Sequence, residues 1–411
     1  MIIALNILAI IGLGYWGYNY AKTSDLHPFY WAGLSVKVLA GISLGLLYSL
    51  YYEGGDTWSM FHEAIKLKDV AFSSINNFTD IYLKSDYSGI ANFSYAIQPR
   101  AAFMSKIIAP IVFMSGGNYW LVSCYLSLFS FAGFWLLANT VYRLFKNKWV
   151  AVIPLLFFPS IVFWSSGVLK ESVAIGSLAI LFSTLTDIYF RKHLRWTEAL
   201  LVIISLLLLM HLKYYYAAVL IVTFLTLFLS YYFLPKRSPW YLELGFVIGL
   251  FALILSVASL THPNFWPSRF LNVIVNNYYQ FADKSTGNNL VIFENLSPTI
   301  LSLLVHSPKA LFAGLFFPLW TSTLNFFKLL SVIENWLLLL AFVYSLRSFS
   351  LPSDRDKRLL LFTMVGFIVI MSIFIAFSTP NIGTLIRYRI GYLMIFIIII
   401  AASISSRIKA A

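Results

Sequence analysis

Two acidic residues flank a pair of glycines at the end of an apolar block, in the stretch Tyr-Tyr-Glu-Gly-Gly-Asp-Thr-Trp-Ser-Met-Phe (51–61). The glycines permit positive φ and a close backbone approach, so Asp56 is expected to project half-buried from a helix end. A carboxylate in such a position can act as a general base on an acceptor hydroxyl, with Glu53 as a second catalytic candidate. The alternative for Asp56 is an N-cap of a helix that runs to about Lys68. Both interpretations stay open.

The same stretch also offers ligands for a divalent cation. Glu53, His62 and Glu63 carry suitable donor atoms, but their spacing matches no tight ligand motif. The sequence therefore predicts no resident metal or other cofactor, with a divalent cation kept as an alternative.

Basic residues that could hold a phosphate stand beside other apolar blocks: Lys170, Lys213, Arg387 and Arg389. The two arginines are spaced i, i+2, so on a helix only one of them faces a given cavity. Polar neighbours are candidate substrate-binding residues: Ser165, Ser166, Glu171, His211, Tyr214 and Asn381. We expect Ser165, Ser166 and Lys170 to face a cavity and cradle a phosphate. The alternatives are a capped helical hairpin, basic side chains that reach lipid headgroups, and an aromatic belt.

The composition shows which elements must position these residues. The 411 residues are 60% hydrophobic and only 11% charged, whereas charged residues approach a quarter of a soluble protein. Apolar blocks of about 16 to 22 residues match the length that a helix needs to cross roughly 30 Å of hydrocarbon. The blocks do not alternate as β-barrel strands do. The sequence predicts an all-α, polytopic bundle of transmembrane helices and excludes a water-soluble enzyme.

Eleven spans are predicted, near 2–21, 32–52, 119–142, 149–165, 168–189, 198–212, 215–234, 241–260, 329–346, 359–377 and 388–405. The short connections that carry basic residues all fall on the same side of the membrane. The positive-inside rule makes that side cytoplasmic, which places the N-terminus outside and the C-terminus in the cytoplasm. On this topology, two large loops between spans lie outside. One is 53–118, with interfacial helices, and the other is 261–328, with a re-entrant or interfacial segment at 310–328. The whole chain, 1–411, is predicted to form a single integral membrane domain.

The net charge of +13 is scattered between apolar blocks, which favours contact with anionic lipids rather than with nucleic acid. The single cysteine, Cys124, excludes an intramolecular disulfide and a cysteine-based metal cluster.

With Asp56 after an apolar block, a large outer loop behind it and basic residues at other membrane boundaries, the chain resembles the C-type membrane glycosyltransferases. The resemblance implies a polyprenyl-phosphate sugar donor, a glycan, lipid or protein acceptor, and a bacterial inner membrane. It implies that Asp56, with Glu53 near it, supplies the catalytic base. Lys170, Lys213, Arg387 or Arg389 would lie near the donor phosphate.

Two other functions remain as alternatives. A polysaccharide polymerase or ligase acting on pyrophosphate-linked glycans would rely on the arginines more than on Asp56. A transporter or flippase for a lipid-linked or anionic solute would move it without forming a bond, and it favours polar residues through the whole membrane depth.

Overall fold

The computed structural model describes residues 1–52, 55–261, 266–283, 285, 289–320 and 326–410. Within these ranges the regular structure is helical, and strand-type pairing is limited to an isolated bridge between Leu290 and Asn381. Eight of the described helices are long and apolar enough to cross a membrane. The predicted class, an all-α integral membrane protein, is confirmed.

Internal contacts divide the chain into two compact units, Met1–Ile188 with His193–Ala217, and Tyr189–Lys192 with Ala218–Ala411. The first unit contains α1 (Ile2–Ala21), α2 (Tyr30–Leu50), α3 (Gly55–Ala71), α4 (Ile75–Thr79), α5 (Pro99–Met114), α6 (Tyr119–Phe145), α7 (Lys148–Val152), α8 (Pro159–Trp164), most of α9 (Lys170–Arg191) and the first part of α10 (Trp196–Phe233). The second contains the rest of α10, α11 (Trp240–Thr261), α12 (Pro267–Asp283), α13 (Ile300–Phe316), α14 (Phe326–Leu346), α15 (Arg355–Ser378), α16 (Ile382–Tyr388) and α17 (Ile390–Ala410).

The expected number of about eleven spans is not confirmed, for three local reasons. The predicted span 149–165 is broken into α7, a π-helical turn at Ile153–Phe157 and α8, because Pro154 and Pro159 each remove a backbone donor. The predicted spans 198–212 and 215–234 join in α10. The last predicted span belongs to the pair α16 and α17, which meets at an angle of 65°.

Helix α10 is regular except at Lys213, whose φ of −144° and ψ of 67° lie outside the helical region. Its 38 residues would extend about 57 Å if straight, well beyond the hydrocarbon thickness of roughly 30 Å. The break therefore divides a helix that is too long for one straight crossing, at the polar position that the sequence shows between two apolar blocks.

Close packing of small residues organises the membrane helices of the first unit. A Cβ atom on Gly133 of α6 would lie 2.3 Å from the backbone oxygen of Gly176 of α9, so the two helices touch through their backbones. At one end of α2, the buried ring of Tyr30 packs edge-on against Phe131 and Trp135 of α6. These contacts fix α2, α6 and α9 as one bundle.

The first large loop folds as a small helical structure with its own core. Helices α3 and α5 pack against each other around a buried apolar cluster formed by Leu67, Ala71, Ile81, Ile90, Phe93, Ala102 and Ala109. The buried carboxylate of Glu63 accepts a 2.8 Å hydrogen bond from Lys66 and bonds from the backbone and hydroxyl of Ser94. The loop therefore folds as packed helices around an apolar core rather than as an irregular connection.

In the second unit, α15 packs against α11, α12, α13 and α17. A Cβ atom on Gly314 would lie 2.6 Å from the backbone oxygen of Ser372, so α13 and α15 also meet through backbone. Helix α12 buries Ile274, Val275 and Tyr278 and leaves its other faces exposed. That amphipathic pattern is typical of a helix that lies at a membrane interface. The predicted re-entrant or interfacial segment, 310–328, is a different part of this loop and stays a prediction.

Candidate functional site in the first unit

A buried ion pair lies at the break in α10. The Nζ of Lys213 is 2.9 Å from Oε1 of Glu171, and the two side chains are 5% and 1% exposed. Glu171 stands in the first turn of α9, after the turn that ends α8. Lys213 also donates a 3.1 Å hydrogen bond to the hydroxyl of Tyr215. An ionisable pair inside an apolar helical protein is expensive to bury, so this break is a candidate functional position.

Helix α5 of the first loop contacts α10 next to this break. The ring of Phe103 stacks on His211 at 4.5 Å between centroids, and the guanidinium of Arg100 lies over the ring of Tyr214 at 4.6 Å. The Nδ1 of His211 lies 2.8 Å from the backbone oxygen of Leu207, one turn earlier in α10. The structure therefore brings the predicted residues Glu171, His211, Lys213 and Tyr214 together, and adds Arg100 to them.

The hydroxyls of Ser165 and Ser166 differ from expectation. Both side chains are fully buried, and each hydroxyl donates to the carbonyl four residues earlier in α8. Serine side chains in helices commonly donate to the carbonyl four residues earlier. Neither hydroxyl points to an exposed surface, whereas Lys170, which follows, is half-buried at the start of α9.

Lys37 is a buried cation that the candidate set omitted. It lies inside α2, is 2% exposed, donates a hydrogen bond to the hydroxyl of Ser165 and sits 4.1 Å from the centre of the Phe134 ring. One turn further, a Cβ atom on Gly41 would lie 3.0 Å from the backbone nitrogen of Gly167, so α2 closely approaches the turn after α8. Lys37 is the only charged residue of the predicted span 32–52, and a lone charge within an apolar span could have identified it as a candidate residue.

Asp56 lies in the first turn of α3, which begins at Gly55, so a helix does start in this stretch but Asp56 stands inside it rather than at the predicted N-cap position. Gly55 has a φ of +46°, and a Cβ atom there would lie 2.5 Å from the Tyr48 ring, so glycine is required at this position. The next residues fix α3 in place, since Thr57 bonds the hydroxyl of Tyr119 and Trp58 stacks on the same ring at 4.0 Å.

The carboxylate of Asp56 is exposed rather than half-buried. Burial raises the pKa of the nearby Tyr95, and the negative charges of Asp56 and Glu63 raise it further. Asp56 thus presents an anchored, accessible carboxylate. Glu53 lies outside the described residues.

Among the described residues, no group of three or more histidine, cysteine or acidic side chains comes together in the manner of a metal site. The carboxylate of Glu63 is engaged by Lys66 and Ser94, while His62 is exposed beside Trp58. The absence of a resident cofactor stays a prediction.

Arg387, Arg389 and Asn381 belong to the second unit. Arg389 lies fully buried at the bend between α16 and α17. It donates to the carbonyls of Leu315 and Phe317 at the end of α13 and to the side-chain oxygen of Asn335. A cation at a helix C-terminus is stabilised by the exposed carbonyls there. These contacts lie within the second unit, and binding of a donor phosphate by Arg389 stays a prediction.

The other two polar residues of this region are also engaged within the second unit. Arg387 is buried, with its guanidinium 5.9 Å from the centre of the Tyr388 ring. Asn381 caps α16 by accepting from the backbone of Thr384 at 3.1 Å, and it donates to Ser285 at 2.9 Å. Binding of a donor phosphate or a substrate by Arg387 and Asn381 stays a prediction.

Comparisons with protein-family models, curated proteins and solved structures give no match to this chain. Any function must therefore be argued from the residues and the geometry described above.

Proposed function

We propose that the protein is a membrane glycosyltransferase that moves a sugar from a polyprenyl-phosphate carrier to a glycan, lipid or protein acceptor. The observation that carries the proposal is that the packed helices α3 and α5 of the first loop connect the exposed acid Asp56 to the basic residues around the break in α10. Asp56 lies in the first turn of α3, α3 packs on α5, and α5 contacts α10 beside its break through Arg100 and Phe103.

The chemistry is a single displacement at the anomeric carbon. Asp56 takes the proton of the acceptor hydroxyl as its oxygen forms the new bond to that carbon. The bond from the anomeric carbon to the phosphate oxygen breaks, and polyprenyl phosphate leaves with the electron pair. Cationic side chains around the α10 break stabilise the charge on the departing phosphate. Of the two predicted for this role, Lys170 is half-buried and Lys213 is already paired with Glu171. A single displacement inverts the anomeric configuration.

The proposal places the protein in a bacterial inner membrane, with the first large loop and the α10 break on the non-cytoplasmic face. Lipid-linked sugars that are presented on that face would reach the α10 break laterally from the bilayer. The N-terminus would lie outside and the C-terminus in the cytoplasm.

The test compares cells that carry wild-type protein, Asp56→Asn, Asp69→Asn or no protein, at matched expression. Asp69 is a matched control because it is an exposed acid on the same helix, 59% exposed and paired with Lys68. Mass spectrometry of lipid-linked sugars and surface glycans gives the readout. We expect Asp56→Asn to reproduce the null strain, with one donor lipid accumulating and one glycan losing a residue, while Asp69→Asn matches wild type.

Other results would redirect the assignment. A glycan defect in the null strain with wild-type behaviour of Asp56→Asn would refute the base assignment and favour the polymerase or ligase. Unchanged glycans in the null strain would refute glycosyl transfer, and loss of solute movement in that strain would favour the transporter.

A further inference from the structure

The basic side chains around the α10 break differ in whether an acidic partner already neutralises them. The ammonium of Lys213 is buried and neutralised by Glu171 at 2.9 Å. A phosphate could reach it only by displacing that carboxylate in a buried position, where an uncompensated charge is strongly destabilising. Arg100, by contrast, is exposed at the start of α5.

Two neighbouring contacts fix Arg100 beside His211. Arg100 and Phe103 are three residues apart on α5, and their partners Tyr214 and His211 are three residues apart on α10. On helix α5 this spacing places Arg100 and Phe103 on one face, about 5 to 6 Å apart between Cβ atoms, whereas Tyr214 and His211 lie on either side of the break at Lys213. The guanidinium and the imidazole therefore take part in adjacent contacts between α5 and α10.

Both groups carry hydrogen-bonding atoms that can meet a ligand. A guanidinium held over an aromatic ring keeps its in-plane N–H donors for an oxyanion, which it can bind in a bidentate manner. In His211 the Nδ1 atom faces the carbonyl of Leu207, so Nε2 is the ring nitrogen left to meet a ligand. The His211 ring is itself held by Phe103.

The position of the pair indicates the kind of molecule that carries the phosphate. His211 and Tyr214 are exposed within a span-forming helix, next to its break, and the apolar side chains of Leu207 and Met210, which precede them on α10, are 50% and 47% exposed. An exposed apolar helix face beside a polar corner fits a ligand with a hydrocarbon tail and an anionic head.

We propose that Arg100 and His211 bind the phosphate of a lipid-linked substrate, and that the Lys213–Glu171 pair positions the break in α10 rather than contacting the phosphate. This inference rests on the proposed function for the identity of the lipid, but the binding site itself can be tested without transfer.

The test uses full-length protein in phosphatidylcholine nanodiscs, with farnesyl phosphate as the probe and native mass spectrometry as the readout. We expect Arg100→Gln and His211→Gln each to weaken binding about tenfold or more, as loss of a charge-assisted contact does. Arg100→Lys keeps the charge but loses the bidentate guanidinium donors, so its affinity for farnesyl phosphate should fall between those of wild type and Arg100→Gln. Its thermal unfolding should match that of wild type. Lys84→Gln, an exposed outer-loop lysine paired with Asp80, is the matched charge control.

Three results would overturn the inference. One is wild-type binding of farnesyl phosphate by both Arg100→Gln and His211→Gln. Another is equal binding of farnesol, which lacks the phosphate. The third is competition by inorganic phosphate or by phosphatidylglycerol at the same concentration as farnesyl phosphate, which would assign the site to free phosphate or to ordinary headgroups. Variant-sensitive probe binding without any glycan change in the null strain would support this site and refute the glycosyltransferase, so the two proposals fail separately.

Discussion

Substituting either Glu171 or Lys213 alone should destabilise the protein more than substituting both members of this buried pair together. The side chains are 1% and 5% exposed and their charged atoms are 2.9 Å apart, so each single substitution leaves a buried partner uncompensated. Glu171→Gln and Lys213→Met should each cost about 3 to 5 kcal/mol. The double variant should lose far less, because two uncharged side chains of similar volume replace the pair. We therefore expect a coupling energy of about 3 kcal/mol or more.

The assay is reversible unfolding in mixed dodecylmaltoside and SDS micelles, followed by circular dichroism for wild type, both single variants and the double variant. A parallel cycle on Asp80 and Lys84 serves as the control, because those side chains are 39% and 71% exposed and exposed pairs contribute about 0.2 to 1 kcal/mol. If the Glu171 and Lys213 substitutions add to within about 0.5 kcal/mol, as independent sites do, the argument for an energetically coupled pair fails.

Three further outcomes follow from the packing. Gly133→Ala should destabilise the protein by about 1 to 3 kcal/mol, because its Cβ would lie 2.3 Å from the Gly176 backbone oxygen, whereas Gly249→Ala, with nothing within 4 Å, should be neutral or stabilising by up to about 1 kcal/mol in detergent unfolding. Burial raises the pKa of Tyr82 to about 12. The neutral phenol is therefore favoured in the folded state, and its stabilisation, at most about 2.7 kcal/mol, should be complete below pH 10 and lost as the pH rises to 12, a loss that Tyr82→Phe should remove in alkaline unfolding curves. Lys37→Met should keep or raise the melting temperature, since it removes a buried ammonium, and a marked fall would show that its contacts outweigh desolvation.

Hydropathy predicted the membrane helices well where the apolar block is uninterrupted. Spans at 2–21, 119–142 and 241–260 correspond to α1, α6 and α11. The segment His-Leu-Lys around Lys213 showed that a helix is interrupted there. It did not show whether the chain continues or reverses, because that depends on packing against other elements rather than on local hydropathy.

The candidate site was only partly predictable, for a related reason. Glu171, His211, Lys213 and Tyr214 are identifiable because polar residues stand out at the edges of apolar blocks. Arg100 does not stand out, since it lies in a polar loop and its partner Tyr214 is far along the chain. The orientation of a hydroxyl such as that of Ser165 is likewise set by the local helix carbonyls and by tertiary neighbours.

The buried cations of this protein show why burial alone does not identify a substrate contact. Arg389 is fully buried, and its two terminal nitrogens already donate to the carbonyls of Leu315 and Phe317 and to the side chain of Asn335, so a ligand at those atoms would have to displace them. Lys213 has the same restriction, because Glu171 neutralises it. Arg100 is fixed by a ring contact that leaves hydrogen-bond donors available, so it can receive an anion without losing a partner. On the proposed function, the buried charges therefore stabilise the shape of the site, and the exposed Arg100 binds the anionic substrate.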